Sequence, residues 1–151
     1  MQNFKNITKE QDLEVYYKSP QMSLFRRLSW SSDGAFISTV GGKAGPHNIA
    51  PLIQRGKWDL MAALSGHQKP ITVSRINPTL FKIPGQELQT FSVIALASAE
   101  STITIWKPSL QKPLVIVTDL FKAGITDLSW GFNGNILIAS STDGEVAMLH
   151  F

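Results

Sequence analysis

The sequence predicts an all-β fold assembled from about three similar four-stranded antiparallel units, and three observations carry that reading. First, a short string recurs: Leu28-Ser29-Trp30-Ser31-Ser32-Asp33-Gly34 is echoed by Leu128-Ser129-Trp130-Gly131-Phe132-Asn133-Gly134, with Ser74-Arg75-Ile76-Asn77 in the equivalent place between them. Second, the apolar segments around these anchors are short, rich in β-branched and aromatic residues, and bounded by turn formers. Third, Asp33-Gly34, Asn133-Gly134 and Asp143-Gly144 accept the positive φ of two-residue hairpins. No stretch keeps apolar residues at i, i+3, i+4 and i+7 long enough to demand a helix.

Taken in order, residues 13–17 read as the outer strand of an upstream unit, with 1–23 comprising that strand and a linker. The first unit, about 24–64, offers strands at 25–31, 35–40, 48–54 and 59–64. The second, about 65–118, offers 70–76, 91–98, 102–106 and 114–118. The third, about 119–151, offers 125–130, 135–140 and 146–151. The repeat is longer than the ~40–45 residues usual for such units, and two inserted loops, 41–46 and 78–90, account for the excess. Both are rich in the Gly and Pro that punctuate loops, and 78–82 has room for one helical turn.

The repeat signature is that of WD40 blades, which carry Gly-His before the inner strand, an acid in the turn after the second strand, and a Trp ending the third. The second unit has Gly66-His67, Glu100 and Trp106 in those places. A hydroxyl on the second strand normally completes the network, but Leu96 stands there, so the network is expected to be incomplete. The third unit keeps the turn acid as Asp143 but puts Leu149-His150 where Trp-Asp would fall, and the first has Ile53-Gln54. A literal Trp58-Asp59 lies only nine residues before His67 and is read as the start of an outer strand. Trp30, His67, Trp106 and Trp130 are expected in the core. The expected architecture is therefore a WD40-type β-propeller fragment of about three blades. Since known rings close with about four to eight blades, the expectation is a piece of a longer chain, a truncated product, or part of a ring completed by another copy.

Composition narrows the function. The 151 residues are 43% apolar, with 14 Lys and Arg against 11 Asp and Glu. The basic residues are scattered, with Arg26-Arg27 the one adjacent pair, so no stripe suits a nucleic-acid backbone and direct nucleic-acid binding is not expected. With no cysteine, disulfides, thiolate catalysis and Cys-based zinc sites are excluded, which fits a reducing compartment. The first residues lack the apolar core of a signal peptide and no run approaches ~20 apolar residues, so no membrane role is expected. His47, His67 and His150 fall in three different units, there is no Gly-x-Ser-x-Gly elbow, and Gly41-Gly42-Lys43-Ala44 lacks the hydroxyl of a phosphate loop. No metal, cofactor or catalytic residues are expected. Partner contacts are instead expected at the inserted loops, taken as 41–48 and 78–90, with Lys43 and Lys82 on them, and at Arg26, Arg27, Lys57 and Trp58, because Arg and Trp anchor interfaces more often than other residues.

Several longer strings point further: Phe25-Arg26-Arg27-Leu28-Ser29-Trp30, Arg55-Gly56-Lys57-Trp58, Gly66-His67 followed by Asn77-Pro78-Thr79-Leu80-Phe81-Lys82, and Gln111-Lys112-Pro113-Leu114-Val115. Asp119-Leu120-Phe121, Ile125-Thr126-Asp127-Leu128-Ser129-Trp130 and Asp143-Gly144-Glu145-Val146-Ala147 continue the series. In their order and spacing the chain resembles part of the amino-terminal propeller of the HIRA family, the histone-regulator subunits of the nuclear HIR histone chaperone complex. The resemblance implies a nuclear, non-catalytic scaffold in replication-independent nucleosome assembly and gene repression. It also implies a ubinuclein-type subunit and other HIR complex subunits as partners, with histones three and four bound directly or indirectly. The propeller subunit of chromatin assembly factor one, whose blades also carry Leu-Ser-Trp and Asp-Gly turns, and an unrelated WD40 adaptor are the alternatives.

Overall fold

The computed structural model describes residues 26–83 and 85–151, apart from the side chains of residues 86–88; the strand expected at 13–17 and the linker to residue 23 lie outside the described residues. Three antiparallel sheets follow one another along the chain. Blade 1 contains β1 (Ser29–Trp30), β2 (Phe36–Ser38), β3 (Gly42–Ala44), β4 (His47–Gln54) and β5 (Leu60–His67). Blade 2 contains β6 (Ile71–Ile76), β9 (Ile94–Ser98), β10 (Ile103–Trp106) and β11 (Val115–Val117), with β7 (Phe81–Ile83) and β8 (Gln86–Phe91) forming a separate hairpin between β6 and β9. Blade 3 is β12 (Ile125–Trp130), β13 (Ile136–Ser141) and β14 (Val146–His150).

Both inserted loops turn out to be paired backbone. β3 lies along the far half of β4, with Gly42 opposite Ile49 and Ala44 opposite His47, so the expected loop at 41–46 is the drawn-out tip of a hairpin. The loop expected at 78–90 holds the β7–β8 hairpin, pinned by stacking of Phe81 on Phe91 at 5.8 Å between ring centroids. Phe91, expected to open the second strand of blade 2, instead closes this hairpin, and the second strand starts at Ile94. The inner strand of blade 1 is shorter than expected because Arg27 leaves its own sheet to bridge Val73 of blade 2 in parallel.

Register aligns the blades residue by residue. Trp30, Ile37 and Ile53 lie side by side in blade 1, Ile76, Ile94 and Trp106 in blade 2, and Trp130, Leu137 and Leu149 in blade 3. The core lies between blades. Ile94, Leu96 and Trp106 of blade 2 pack with Phe36, Leu52 and Leu64 of blade 1. Ala95, Ala97, Ile103 and Ile105 pack with Leu128, Leu137 and Ala139 of blade 3. The alternation in β9 thus sends Ile94 and Leu96 to one neighbour and Ala95 and Ala97 to the other, which is why a strand buried on both faces reads as an unbroken apolar run. Each buried Ile or Leu contributes about 1.5–3 kcal/mol.

Because consecutive strands of a blade run up and down, the turns sort onto two ends. One end carries the turns between first and second strands (Asp33-Gly34, the β7–β8 hairpin, Asn133-Gly134) and between third and outer strands (55–59, 107–114). The opposite end carries the β3–β4 tip, the turns at Glu100 and Asp143, and the links between blades.

Candidate protein-interaction surface

The His67 network of blade 2 is complete, contrary to expectation. His67 Nδ1 lies 2.9 Å from Glu100 Oε1 and Nε2 lies 2.8 Å from Thr104 Oγ1, while Trp106 Nε1 donates to Thr104 Oγ1 at 2.8 Å. Thr104 and Leu96 are directly opposed across β9 and β10 and share a face, so the hydroxyl missing at Leu96 arrives from the neighbouring strand. One proton arrangement satisfies every member: the indole N–H donates to Thr104, the Thr104 hydroxyl donates to Nε2, and Nδ1–H donates to the carboxylate. Burial holds the His67 pKa below its ordinary value, partly opposed by the hydrogen bond and charge of Glu100, so the imidazole is neutral at pH 7 and its contact with Glu100 is a hydrogen bond rather than an ion pair. Glu100 also accepts from the backbone N–H groups of Gln68 and Lys69, fixing the link into the inner strand.

Blade 3 shows what survives when this network is dismantled. Asp143 still caps the incoming link, accepting from Lys122 N at 3.1 Å, and closes its own turn by accepting from Glu145 N. The His position is taken by the buried Phe121 and the Trp position by Leu149, which packs against the same core. Trp130 is half-buried, packs against that core and donates to Arg75 O at 3.0 Å. Trp30, expected in the core, is instead exposed, because the surface matching the one that Trp130 meets on blade 2 is not formed beside blade 1 by the described residues.

Polar ties between blades, none of them anticipated from sequence, hold the inner strands together. Arg75 reaches Leu28 O of blade 1, and Leu128 O and Asp127 of blade 3, and Asp127 also pairs with Arg27 at 3.3 Å. Asn77 is buried; its carbonyl accepts from Ser32 Oγ, and its side-chain amide donates to Gly134 O. The only sequence signal for these positions was their place beside the repeated anchor string.

The end bearing the first-to-second and third-to-outer turns gathers exposed aromatic and basic side chains. Trp30 and Trp58 meet edge to face at 6.2 Å, and the Arg55 guanidinium stands 6.0 Å from the Trp30 ring. Trp58 is held at φ 59, a left-handed conformation costly for a bulky side chain, by its N–H bonding Gln54 O. Lys107 covers Phe91 at 4.3 Å, and Phe132 stands free in solvent. Of the positions expected to meet partners, Trp58 and the exposed Lys82 share this end. Lys43, half-buried on β3, lies at the opposite end, where Arg26 and Arg27 also enter their strand; Arg26 is exposed, while Arg27 is spent on Asp127. Arg55 is the interface candidate that sequence reading passed over. Among the described residues no three His, Asp or Glu side chains converge on a common point.

Three antiparallel meanders packed face to face on inner strands, with a His–acid–hydroxyl–Trp relay in the middle one, define this as a WD40-type propeller protein. No family model matches the sequence. Among curated proteins, Protein HIR1 of Cryptococcus neoformans is 40% identical over 136 residues, covering 88% of this chain and 15% of the relative. Protein HIRA of Oryza sativa is 34% identical over 156 residues (89% and 16%), and Protein HIR1 of Candida albicans 34% over 143 residues (92% and 16%). The chain belongs to the HIRA family of histone chaperone subunits. It spans only about 15% of the length of these relatives.

Proposed function

We propose that this chain is a non-catalytic scaffold of a nuclear HIR-type histone chaperone complex, serving replication-independent nucleosome assembly and transcriptional repression. In this reading the aromatic and basic end docks a ubinuclein-type subunit, and histones three and four join directly or through other subunits of the complex. The observation that carries the reading is the exposed Trp30–Trp58–Arg55 corner beside the β7–β8 hairpin, since Trp and Arg dominate binding hot spots. The strained backbone of Trp58 supports it, because such strain persists where the surrounding structure holds a side chain in place for use.

Pull-down of the full-length protein from nuclear extract should recover histones and a ubinuclein-like subunit, and recovery of neither refutes the reading. Binding of the purified ubinuclein-type subunit should weaken on the order of 30-fold or more for Trp58→Ala, a hot-spot loss of about 2 kcal/mol. Lys43→Ala, at the opposite end, should leave the affinity unchanged.

A further inference from the structure

The outer strand of blade 2, β11, is paired along one edge and open along the other. It is bonded to β10 through Val115, Ile116 and Val117, and no described strand lies along its far side. Blades 1 and 3 pack on the two faces of blade 2, and this edge points away from the inner strands, so its openness does not depend on any further blade. The edge is also unguarded. Sheet edges are ordinarily protected by charged side chains, by a proline within the strand or by a bulge. Leu114-Val115-Ile116-Val117 is an unbroken apolar run that pairs with β10 without a bulge, and Leu114, Val115 and Ile116 are 50%, 38% and 60% exposed. On β5, the outer strand of blade 1, Met61 alone of the large apolar side chains is exposed.

We propose that this edge docks an extended segment of another protein, which joins blade 2 as a further strand beside β11. Main-chain hydrogen bonds to the open edge supply the affinity. Alternate side chains of the segment meet Ile116, which shares a face with Thr104 on the blade 1 side, and Val115 and Val117, which share a face with Ile105 and Ile103 on the blade 3 side. Antiparallel addition continues the up-and-down order of the blade and gives the more stable ladder. Charge sets the flanks of the segment. The turn leading into β11 carries Lys107 and the exposed Lys112, whereas Asp119 and Lys122 offset each other beyond the far end of the strand. An antiparallel segment reaches that basic turn last, so the partner is a β-branched or apolar stretch followed by acidic residues. A second copy of this chain does not suit the edge, because a strip of four residues falls far short of the roughly 800 Å² per partner buried between stably associated folded proteins, while an extended segment needs no more than the strip. This inference rests on the β11 edge and is independent of the histone chaperone reading.

The probe is a fluorescein-labelled peptide of alternating Val and Thr that ends in a run of Asp, titrated with the purified protein and followed by fluorescence anisotropy. Saturable binding is expected. Ile116→Lys puts a charge on the edge at an exposed position, so the variant folds, as circular dichroism will verify, and its binding should weaken on the order of tenfold or more. Lys112→Glu should weaken binding several-fold, and a peptide with the Asp run placed first should bind less well than the original. Met61→Lys, on the outer strand of blade 1, should leave binding unchanged. The same peptide N-methylated along its backbone cannot form the ladder and should not bind. Absence of saturable binding, equal binding to the Ile116→Lys variant, equal binding of the N-methylated peptide or a preference for the reversed peptide would each overturn the proposal. A dimer in light scattering that Ile116→Lys abolishes would overturn it too, by assigning the edge to a second copy.

Discussion

Replacing Thr104 with valine preserves the shape of the side chain and deletes the one hydroxyl that joins Trp106 to His67. Both partners are buried, and the hydroxyl accepts from one and donates to the other at 2.8 Å. A buried polar group left without a partner costs about 1–3 kcal/mol, and two are orphaned here, the indole N–H and the imidazole Nε2. The methyl that replaces the oxygen returns up to about 0.8 kcal/mol of apolar burial. The net loss should be about 1–5 kcal/mol, a large part of the 5–15 kcal/mol typical of a domain. Urea unfolding followed by tryptophan fluorescence reads this directly, as a lowered midpoint at unchanged slope. Thr104→Ser supplies the control: it removes a methyl, at about 1 kcal/mol, and keeps the hydroxyl. If Thr104→Val lost less than Thr104→Ser, the relay would not be what stabilises blade 2.

Other expectations follow from the same geometry. Gly134 sits at φ 71, and a Cβ there would collide with Asn77 Oδ1, so Gly134→Ala should cost about 3 kcal/mol or more, while Gly144→Ala, at φ 86 in open space, should cost only about 1 kcal/mol by chemical denaturation. Because burial lowers the pKa of His67, the unfolded chain takes up a proton near pH 6.5 that the folded chain resists. Stability should therefore fall as pH drops below 6.5, by at most about 1.4 kcal/mol per pH unit for this group, and NMR titration should place His67 below an exposed histidine. Asp33 is lowered chiefly by its hydrogen bond with Ser31, and Asp143 chiefly by the backbone N–H of Glu145; their contributions are present above pH 3.8 and lost below it, adding a second acid limb to the stability curve. Asp127→Asn removes the shared partner of Arg27 and Arg75 and, at this part-exposed site, should cost about 1 kcal/mol in thermal or urea unfolding.

The blades were legible because a hairpin meander writes a local, period-two pattern, and Asp-Gly and Asn-Gly turns fix its corners. β12 appears at the bounds its pattern implied. What sequence could not convey was anything decided across strands. Leu96 looked like a gap in the polar network because Thr104, its neighbour across β9 and β10, is eight positions away along the chain. The two inserts looked like loops because their Gly and Pro content masks short pairing, as β3 and the β7–β8 hairpin show. Trp30 and Trp130 sit in nearly identical strings, yet one is exposed and the other packs on the core, since burial depends on what lies opposite rather than on the string. Asn77 and Arg75 stand in the string equivalent to the repeated anchor, but nothing in that string shows their role as ties, which emerges only when three inner strands are brought together.

Those two residues have a consequence for how the molecule comes apart. Stacked repeats ordinarily touch only their nearest neighbours, so their unfolding can fray one unit at a time from either end. Asn77 and Arg75 belong to the middle blade, but each is tied to both flanking blades, Asn77 through the Ser32 hydroxyl and Gly134 O, and Arg75 through Leu28 O and Leu128 O. Releasing either outer blade therefore strips hydrogen bonds from the residues that also secure the other. Amide hydrogen exchange should accordingly show the inner strands β6 and β12 opening together in one global event, with fraying confined to the outer strand β11 and the hairpin β7–β8.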